Sequence, residues 1–372
     1  MAQLSIGLPK MRVEVGERRD FLPDFVAMLL ATGANVVVEE GVGAGMTLGP
    51  DAYRRVAPGV VFGSHAAAYA QDVVLVLRCP DDEDLRRLRP GACLMSMLHY
   101  NTRPQRVALL RQLGVEAISL DSLKDDLGRR TMENFRAVAW NGVEVAFQIL
   151  AKCLPDPGLE SPQRRPLQVT LLGAGALGSV VLQAAVRYGD RNLWQRLASS
   201  GVPGVQLSVV DYDVTRDTKA MQTLLSTCNL LIDASQRPDP GRPIIPNAWI
   251  GHMPAHAVLL DLAVDPYNCQ TDPPSLKGIE GVVGGNLDQY TFAPDDPAFD
   301  ALPACVDSTN RRWSVSCYSW PGVHPRPCME LYATQLTPLM QALIRAGGPE
   351  AIDPKGPAEH RVMARAQLSR YP

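Results

Sequence analysis

From Leu4 to about Leu120, short apolar runs alternate with amphipathic stretches. LSIGL, FLPDFVAMLLATG, ANVVVEE, DVVLVLR, DEDLRRLR, ACLMSML, RPQRVALLRQLG and VEAISL follow one another in that order. Strand-length runs separated by helical patterns make βαβ units, and these predict a parallel sheet. The stretch MENFRAVAWNGVEVAFQILAKCL then reads as one long domain-crossing helix, interrupted only by Gly142, with the polar PDPGLESPQRRP as its exit loop. At Leu167 the pattern restarts: LQVTLLG, VQLSVVD, NLLIDAS and AVLLDLAVD read as strands, and Leu177 to Tyr188 and Lys219 to Ser226 read as helices. This is a second α/β unit. Beyond Asp265 the chain is rich in Gly, Pro and Asp without clear periodicity as far as Trp313. A structureless loop of that length is unusual in a compact domain, so the segment is expected to be functional or to carry short elements. MELYATQLTPLMQALIRAGG predicts a helix closed by Gly347 and Gly348, followed by a polar tail with one further short helix.

Length supports the same division. A chain of 372 residues exceeds the roughly 250 to 300 residues at which single cores stop growing. With 36 basic against 39 acidic side chains the formal net charge is -3, which offers no electrostatic footprint for nucleic acid. The first ten residues lack a charged-then-apolar leader, and no stretch approaches the roughly 18 uncharged apolar residues of a membrane helix. A cytoplasmic protein with no membrane partner is expected. Eight cysteines are scattered singly, with no C-x-x-C and no metal-ligand spacing to histidine. They read as reduced thiols packed as small apolar groups, and no metal site is expected.

The motif that carries chemistry is VTLLGAGALGSVVLQAAV, Val169 to Val186. Gly173 permits the tight turn after the strand, Gly175 lets the backbone approach a pyrophosphate, and Gly178 lets the next helix sit close on the sheet. The expected cofactor contacts are Gly173, Ala174, Gly175, Ala176, Leu177 and Gly178, with Asp211 and Tyr212 closing VQLSVVD and Ala234 and Ser235 closing NLLIDAS. Asp211 lies 33 residues after Gly178, against roughly 20 in the standard unit. The excess, GDRNLWQRLASSGVPG, reads as an inserted helical turn. A carboxylate at that strand end accepts from a ribose 2'-OH and repels a 2'-phosphate, which favours NAD. Arg216 nearby keeps NADP as the alternative.

Read in order, an α/β domain, a long helix, a nucleotide fold and a return resemble the superfamily of alanine dehydrogenase, lysine-forming saccharopine dehydrogenase and carboxyethylornithine synthase. The carrying segments are GERRDFLPDFV, GACLMSMLHYN, DLGRRTMENFRAVAWNG, LLGAGALG, HMPAHAVLLDLAVDPYNC and SWPGVHPRPCMELYATQLTPLMQAL. The resemblance implies two Rossmann-like domains, doubly wound parallel sheets separated by a cleft and joined by long helices. Residues 1–140 with 320–372 would form the substrate domain and 141–319 the NAD-binding domain. It also implies roles. Arg18, five residues before Pro23, falls where relatives hold the substrate carboxylate, with Arg19 as the alternative one register away. His99 in SMLHY falls on the active-site histidine, and an imidazole suits proton transfer to an amine or carbinolamine near neutral pH. Asp265 falls on an aspartate beside the nicotinamide, with Asp261 in the same run as its competitor.

Three departures stand out. Arg78 replaces a catalytic lysine, and a guanidinium binds a carboxylate without serving as a base. Ser319 and Trp320 stand where alanine dehydrogenase has Asn and Met. The insertion GIEGVVGGNLDQYTFAPDDPAFDALP is extra or longer. These argue for an amino acid other than alanine, with Arg311, Arg312, Gln289 and Asp288 as further candidate contacts. His65, His252, His256 and His360 have no such placement, and His324 is a candidate for lining the cleft. The expected activity is oxidation at the C-N bond of an L-amino acid, or the reverse reaction with a 2-oxo acid, with His99, Asp265 and Arg78 as catalytic residues. Arg18, Arg78, Ser319 and Trp320 would bind the substrate. The alternatives are a redox-neutral, NAD-retaining cyclodeaminase and a non-catalytic nucleotide-binding protein. Partners are small molecules, and the oligomeric state is open.

Overall fold

Runs that are apolar at nearly every position suit strands covered on both faces, and Val73–Arg78 and Leu230–Asp233, apolar up to a charged last residue, are such strands, each buried along nearly its whole length. The computed structural model describes residues 3–12, 14–237 and 239–372, without the side chain of Tyr212. The chain divides into two compact units, Met1–Asn134 with His324–Pro372, and Phe135–Val323.

The first unit holds a six-stranded sheet of β1 (Ser5–Leu8), β2 (Asn35–Glu39), β3 (Val61–Gly63), β4 (Val73–Arg78), β5 (Cys93–Met97) and β6 (Glu116–Ser119). The spatial order is β3-β2-β1-β4-β5-β6, with every pair parallel. The order reverses at β1, so the crevice between β1 and β4 at their carboxyl ends is where a doubly wound sheet binds ligands. The helix Pro325–Ala346 packs in this unit through Met329, Leu336, Met340 and Leu343.

The second sheet contains β7 (Leu167–Leu172), β8 (Val205–Val210), β9 (Leu230–Asp233), β10 (Val258–Asp261), β11 (Thr291–Phe292) and β12 (Trp313–Ser316), in the order β11-β12-β10-β9-β7-β8. All pairs are parallel except β11 with β12. Its switch point lies between β7 and β9. The long helix Phe135–Cys153 covers one face without a break at Gly142, because a Cβ there would lie 2.4 Å from Leu262 Cδ2. Glycine at that position is a packing requirement. The inserted element before β8 is the helix Arg191–Ser199, capped by the Asp190 carboxylate.

The stretch after Asp265 carries β11, one short 3-10 turn at Pro297–Phe299, and a small core of Val283, Phe292 and Phe299. The expectation of eight reduced thiols is corrected here. Cys269 and Cys305 form a disulfide within this stretch, and Cys79, Cys93, Cys153, Cys228, Cys317 and Cys328 are free. The partners stand 36 residues apart, a spacing that no local motif announces. Among the described residues no helix is long and apolar enough to cross a membrane.

Candidate functional site

In the second unit the glycine turn sits at the switch point. Gly173 has a φ of 91°, and a Cβ on it would stand 3.0 Å from the Ala234 carbonyl and 2.8 Å from Ser235 Cα. A Cβ on Gly178 would stand 2.2 Å from the Gly173 carbonyl oxygen, so the helix Ala176–Ala185 rests directly on the turn. Around Gly175, by contrast, nothing lies within 4 Å of a built Cβ. Gly175 is the N-cap, and no side chain caps the helix. The first N–H groups of a helix have no intrahelical partner, and together with the helix dipole they suit an anion. Ala174, Gly175 and Ala176 are exposed, Asp211 directly follows β8 and is exposed, and Ala234 and Ser235 directly follow β9. These residues therefore lie just beyond the carboxyl ends of the neighbouring strands β8, β7 and β9. The side chain of Tyr212 lies outside the described residues.

The expectation for Asp265 changes. β10 ends at Asp261, not Asp265, because the Asp261 carboxylate accepts the Val264 N–H at 2.7 Å and draws the chain out of the sheet. Val264 turns at a φ of 56°. Asp265 follows that turn, with its carboxylate 2.7 Å from Arg237 Nη2. Ser319 and Trp320 are also corrected. Both are buried, and the Trp320 indole N–H donates to the Asp261 carbonyl at 3.0 Å, which makes the ring part of this unit's core. Arg312 is spent on the carbonyls of Met253 and Pro254, Arg311 on Asp300, and Gln289 on Asp296.

In the first unit, His99 follows β5 in the left-handed region, φ 50°. A non-glycine residue is rarely held there, and such residues cluster at functional sites. The device that holds it is Asp121, after β6. The Asp121 carboxylate accepts the His99 backbone N–H at 3.0 Å and the Ser119 hydroxyl at 2.8 Å, and lies 3.4 Å from His99 Nδ1. Burial alone would raise the Asp121 carboxyl, but the hydrogen bonds and charge of His99 outweigh it and hold it well below the usual range. An ionised Asp121 thus orients Nδ1 and leaves Nε2 for other work. The acidic residue ending VEAISLD was the available signal for it.

Arg78 ends β4 one strand over from His99, and its guanidinium is paired with Glu14. Lys10, Arg12, Glu17 and Asp84 line the same small depression at the β1/β4 switch point. Arg18 is exposed whereas Arg19 is buried and forked onto Glu17. Burial opposes the Glu17 carboxylate, yet Arg19 keeps it below its ordinary value. Asp20 beside them accepts only the Gly43 N–H at 2.7 Å among the described residues, and burial pushes it up to about 7. A carboxyl that binds its proton more tightly folded than unfolded loses stability as pH rises from its ordinary 3.8 toward that value. Asp20→Asn keeps the acceptor without the charge. The variant should match wild type near pH 4 and exceed it by up to about 4 kcal/mol above pH 7 in urea unfolding; equal stability across that range would refute the assignment.

The family model for the alanine dehydrogenase/PNT N-terminal domain matches residues 7–140. Alanine dehydrogenase of Bacillus subtilis is 24% identical over 276 residues, covering 70% of each chain. The NAD(P) transhydrogenase subunit alpha of Haemophilus influenzae is 20% identical over 367 residues, covering 91% of this chain and 66% of its own. A solved L-alanine dehydrogenase superposes with a TM-score of 0.71 at 19% identity, over 98% of this chain and 94% of that one. The chain is thus similar to alanine dehydrogenases, with the match to the family model lying in residues 7–140. It places a histidine in the left-handed region with a buried carboxylate behind it on one sheet, and a glycine cradle on the other. Among the described residues no cluster of three or more His, Cys, Asp or Glu is arranged to hold a metal ion.

Proposed function

We propose that the protein is a nicotinamide-dependent oxidoreductase acting on the C-N bond of an L-amino acid, with NAD as the preferred coenzyme. The observation that carries this is the opening at Gly175, framed by two glycines that tolerate no Cβ, beside a sheet whose next strand ends in an exposed carboxylate, Asp211. That arrangement suits a dinucleotide pyrophosphate and a ribose 2'-OH. When bound, the coenzyme supplies the hydride acceptor.

This chain's own residues do the rest. His99, with Asp121 accepting at Nδ1, takes the proton from the substrate ammonium or a carbinolamine hydroxyl at Nε2 and returns it in the reverse direction. Arg78 takes the substrate carboxylate, for which Glu14 now holds its place, and so aligns Cα for transfer. Arg18, the second expected cation, directly follows Glu17, which lines the same depression as Arg78. Names of relatives support the amino-acid substrate, and Arg78 together with the 266–312 stretch argues against plain alanine.

The test is a panel of amino acids with NAD or NADP, and of 2-oxo acids crossed with ammonia or amino acids and reduced coenzyme, followed by the coenzyme's near-ultraviolet absorbance. Turnover with at least one pair supports the reading, and coenzyme binding without turnover on any of them refutes it. In the active pair Arg78→Ala should raise KM about 10- to 100-fold, the loss expected for a charge-assisted hydrogen bond. The coenzyme Kd should stay at its wild-type value. An unchanged KM removes Arg78 from the site.

A further inference from the structure

The stretch between β10 and β12 lays one short segment across the carboxyl ends of β9 and β10. Ser275 bridges to Asn268 and Ile279 to Ile245, so the segment is anchored on both sides. Between those anchors three consecutive residues each meet a different polar group. The Leu276 carbonyl accepts from Arg237 Nη2 at 2.5 Å. Lys277 Nζ donates to Asp261 Oδ2 at 2.7 Å. Gly278 lies against Asp233, where a Cβ would stand 1.9 Å from Oδ2. Lys277 is only 4% exposed, a burial that lysine tolerates when paired.

The strand ends explain the need for it. Asp233, Asp261 and Ser316 are in register on neighbouring strands, which sets two buried carboxylates side by side. Both cannot ionise cheaply without a cation. Burial and the neighbouring Asp261 push Asp233 up to about 6. Lys277 neutralises Asp261, Ser316 Oγ adds a bond at 3.1 Å to the same oxygen, and the other oxygen takes the Val264 N–H. Val264 is β-branched and sits at φ 56°, a conformation that persists only where its surroundings impose it. Asp265 comes next and meets Arg237, which the same segment braces at Leu276. The other charged or titratable groups at this cluster are Tyr267, whose ring centroid lies 5.6 Å from Lys277 Nζ, and Glu280 beside Tyr267.

We propose that Lys277 is a positioning residue: its ammonium fixes Asp261, and Asp261 holds the left-handed turn at Val264 that presents Asp265 to the coenzyme site. This rests on the dehydrogenase reading for the role of Asp265, but not for the coupling between Lys277 and Asp261.

The experiment compares full-length wild type, Lys277→Met and the double variant Lys277→Met/Asp261→Asn. NAD affinity is measured by calorimetry from about pH 5 to 9, beside kcat and KM on the active substrate pair. Removing the ammonium takes the opposite charge away from the buried carboxylate pair at the ends of β9 and β10, so the acid limb of NAD binding in Lys277→Met should move up by about one pH unit. At neutral pH kcat should fall about 10- to 100-fold, with amino-acid KM within about twofold. Asparagine removes the uncompensated charge and still offers an oxygen to Val264. The double variant should therefore return to within about threefold of wild-type kcat and lose the shifted limb. A Lys277→Met protein with the wild-type acid limb overturns the proposal, as does a double variant no better than the single one. Should wild type bind NAD yet turn over no substrate, the reaction reading fails, and the acid limb still decides the Lys277 coupling.

Discussion

His99→Ala is expected to lower kcat by about 10²- to 10⁴-fold, the range for a general acid–base group, while NAD affinity stays within about twofold of wild type. The two outcomes separate because His99 belongs to the first unit and the glycine cradle to the second. The imidazole is half-exposed, held at φ 50° and backed by a buried carboxylate, so its removal deletes a proton carrier and little packing. Asp121→Asn refines the test. An asparagine amide offers Nδ1 a donor in place of an ionised acceptor, which favours the wrong tautomer and should cost a large part of the same factor with the backbone contact still available. Both variants are assayed by steady-state turnover and by calorimetry with NAD. Turnover that survives in His99→Ala while NAD binding fails would reverse the assignment and move His99 to the coenzyme.

Much of this architecture could be read from the chain because it depends on neighbours in sequence. Apolar runs such as VVLVLR leave a strand only one environment, a sheet covered on both faces. The G-x-G-x-x-G turn needs its glycines within six residues of one another. What could not be read depends on partners far along the chain. The choice between Arg18 and Arg19 is made by helix Pro325–Ala346, whose Cys328 and Tyr332 approach the buried Arg19. Asp121 meets His99 only because β5 and β6 are neighbours. AVLLDLAVD reads as one strand, yet a side-chain bond from Asp261 to Val264 ends it early, a local competition with the ladder that apolar patterning does not register. Trp320 resembled a pocket residue from its motif, and the bond from its indole to the Asp261 carbonyl shows why this position needs that ring. Lys277 had no signal at all, since its partner is recruited by a loop without periodicity.

Two alanine substitutions in the cradle should give different results, and the difference tests where a dinucleotide sits. Gly178→Ala puts a methyl 2.2 Å from a backbone oxygen, a contact that only a movement of the helix start or the turn relieves. It should cost about 1–3 kcal/mol of stability as overpacking and weaken NAD at least about tenfold, because the displaced helix start no longer meets the phosphates. Gly175 is the contrary case. Its φ of -70° suits alanine and its Cβ would meet nothing within 4 Å. Gly175→Ala should leave urea unfolding within about 0.5 kcal/mol of wild type. It should nevertheless weaken NAD about tenfold or more, since the methyl takes the space through which the backbone approaches the pyrophosphate. Stability and affinity thus fall together at Gly178 and come apart at Gly175. Wild-type NAD affinity in Gly175→Ala would mean that the open space at the helix start is not where the phosphates bind, and with it would go the observation on which the dehydrogenase reading stands.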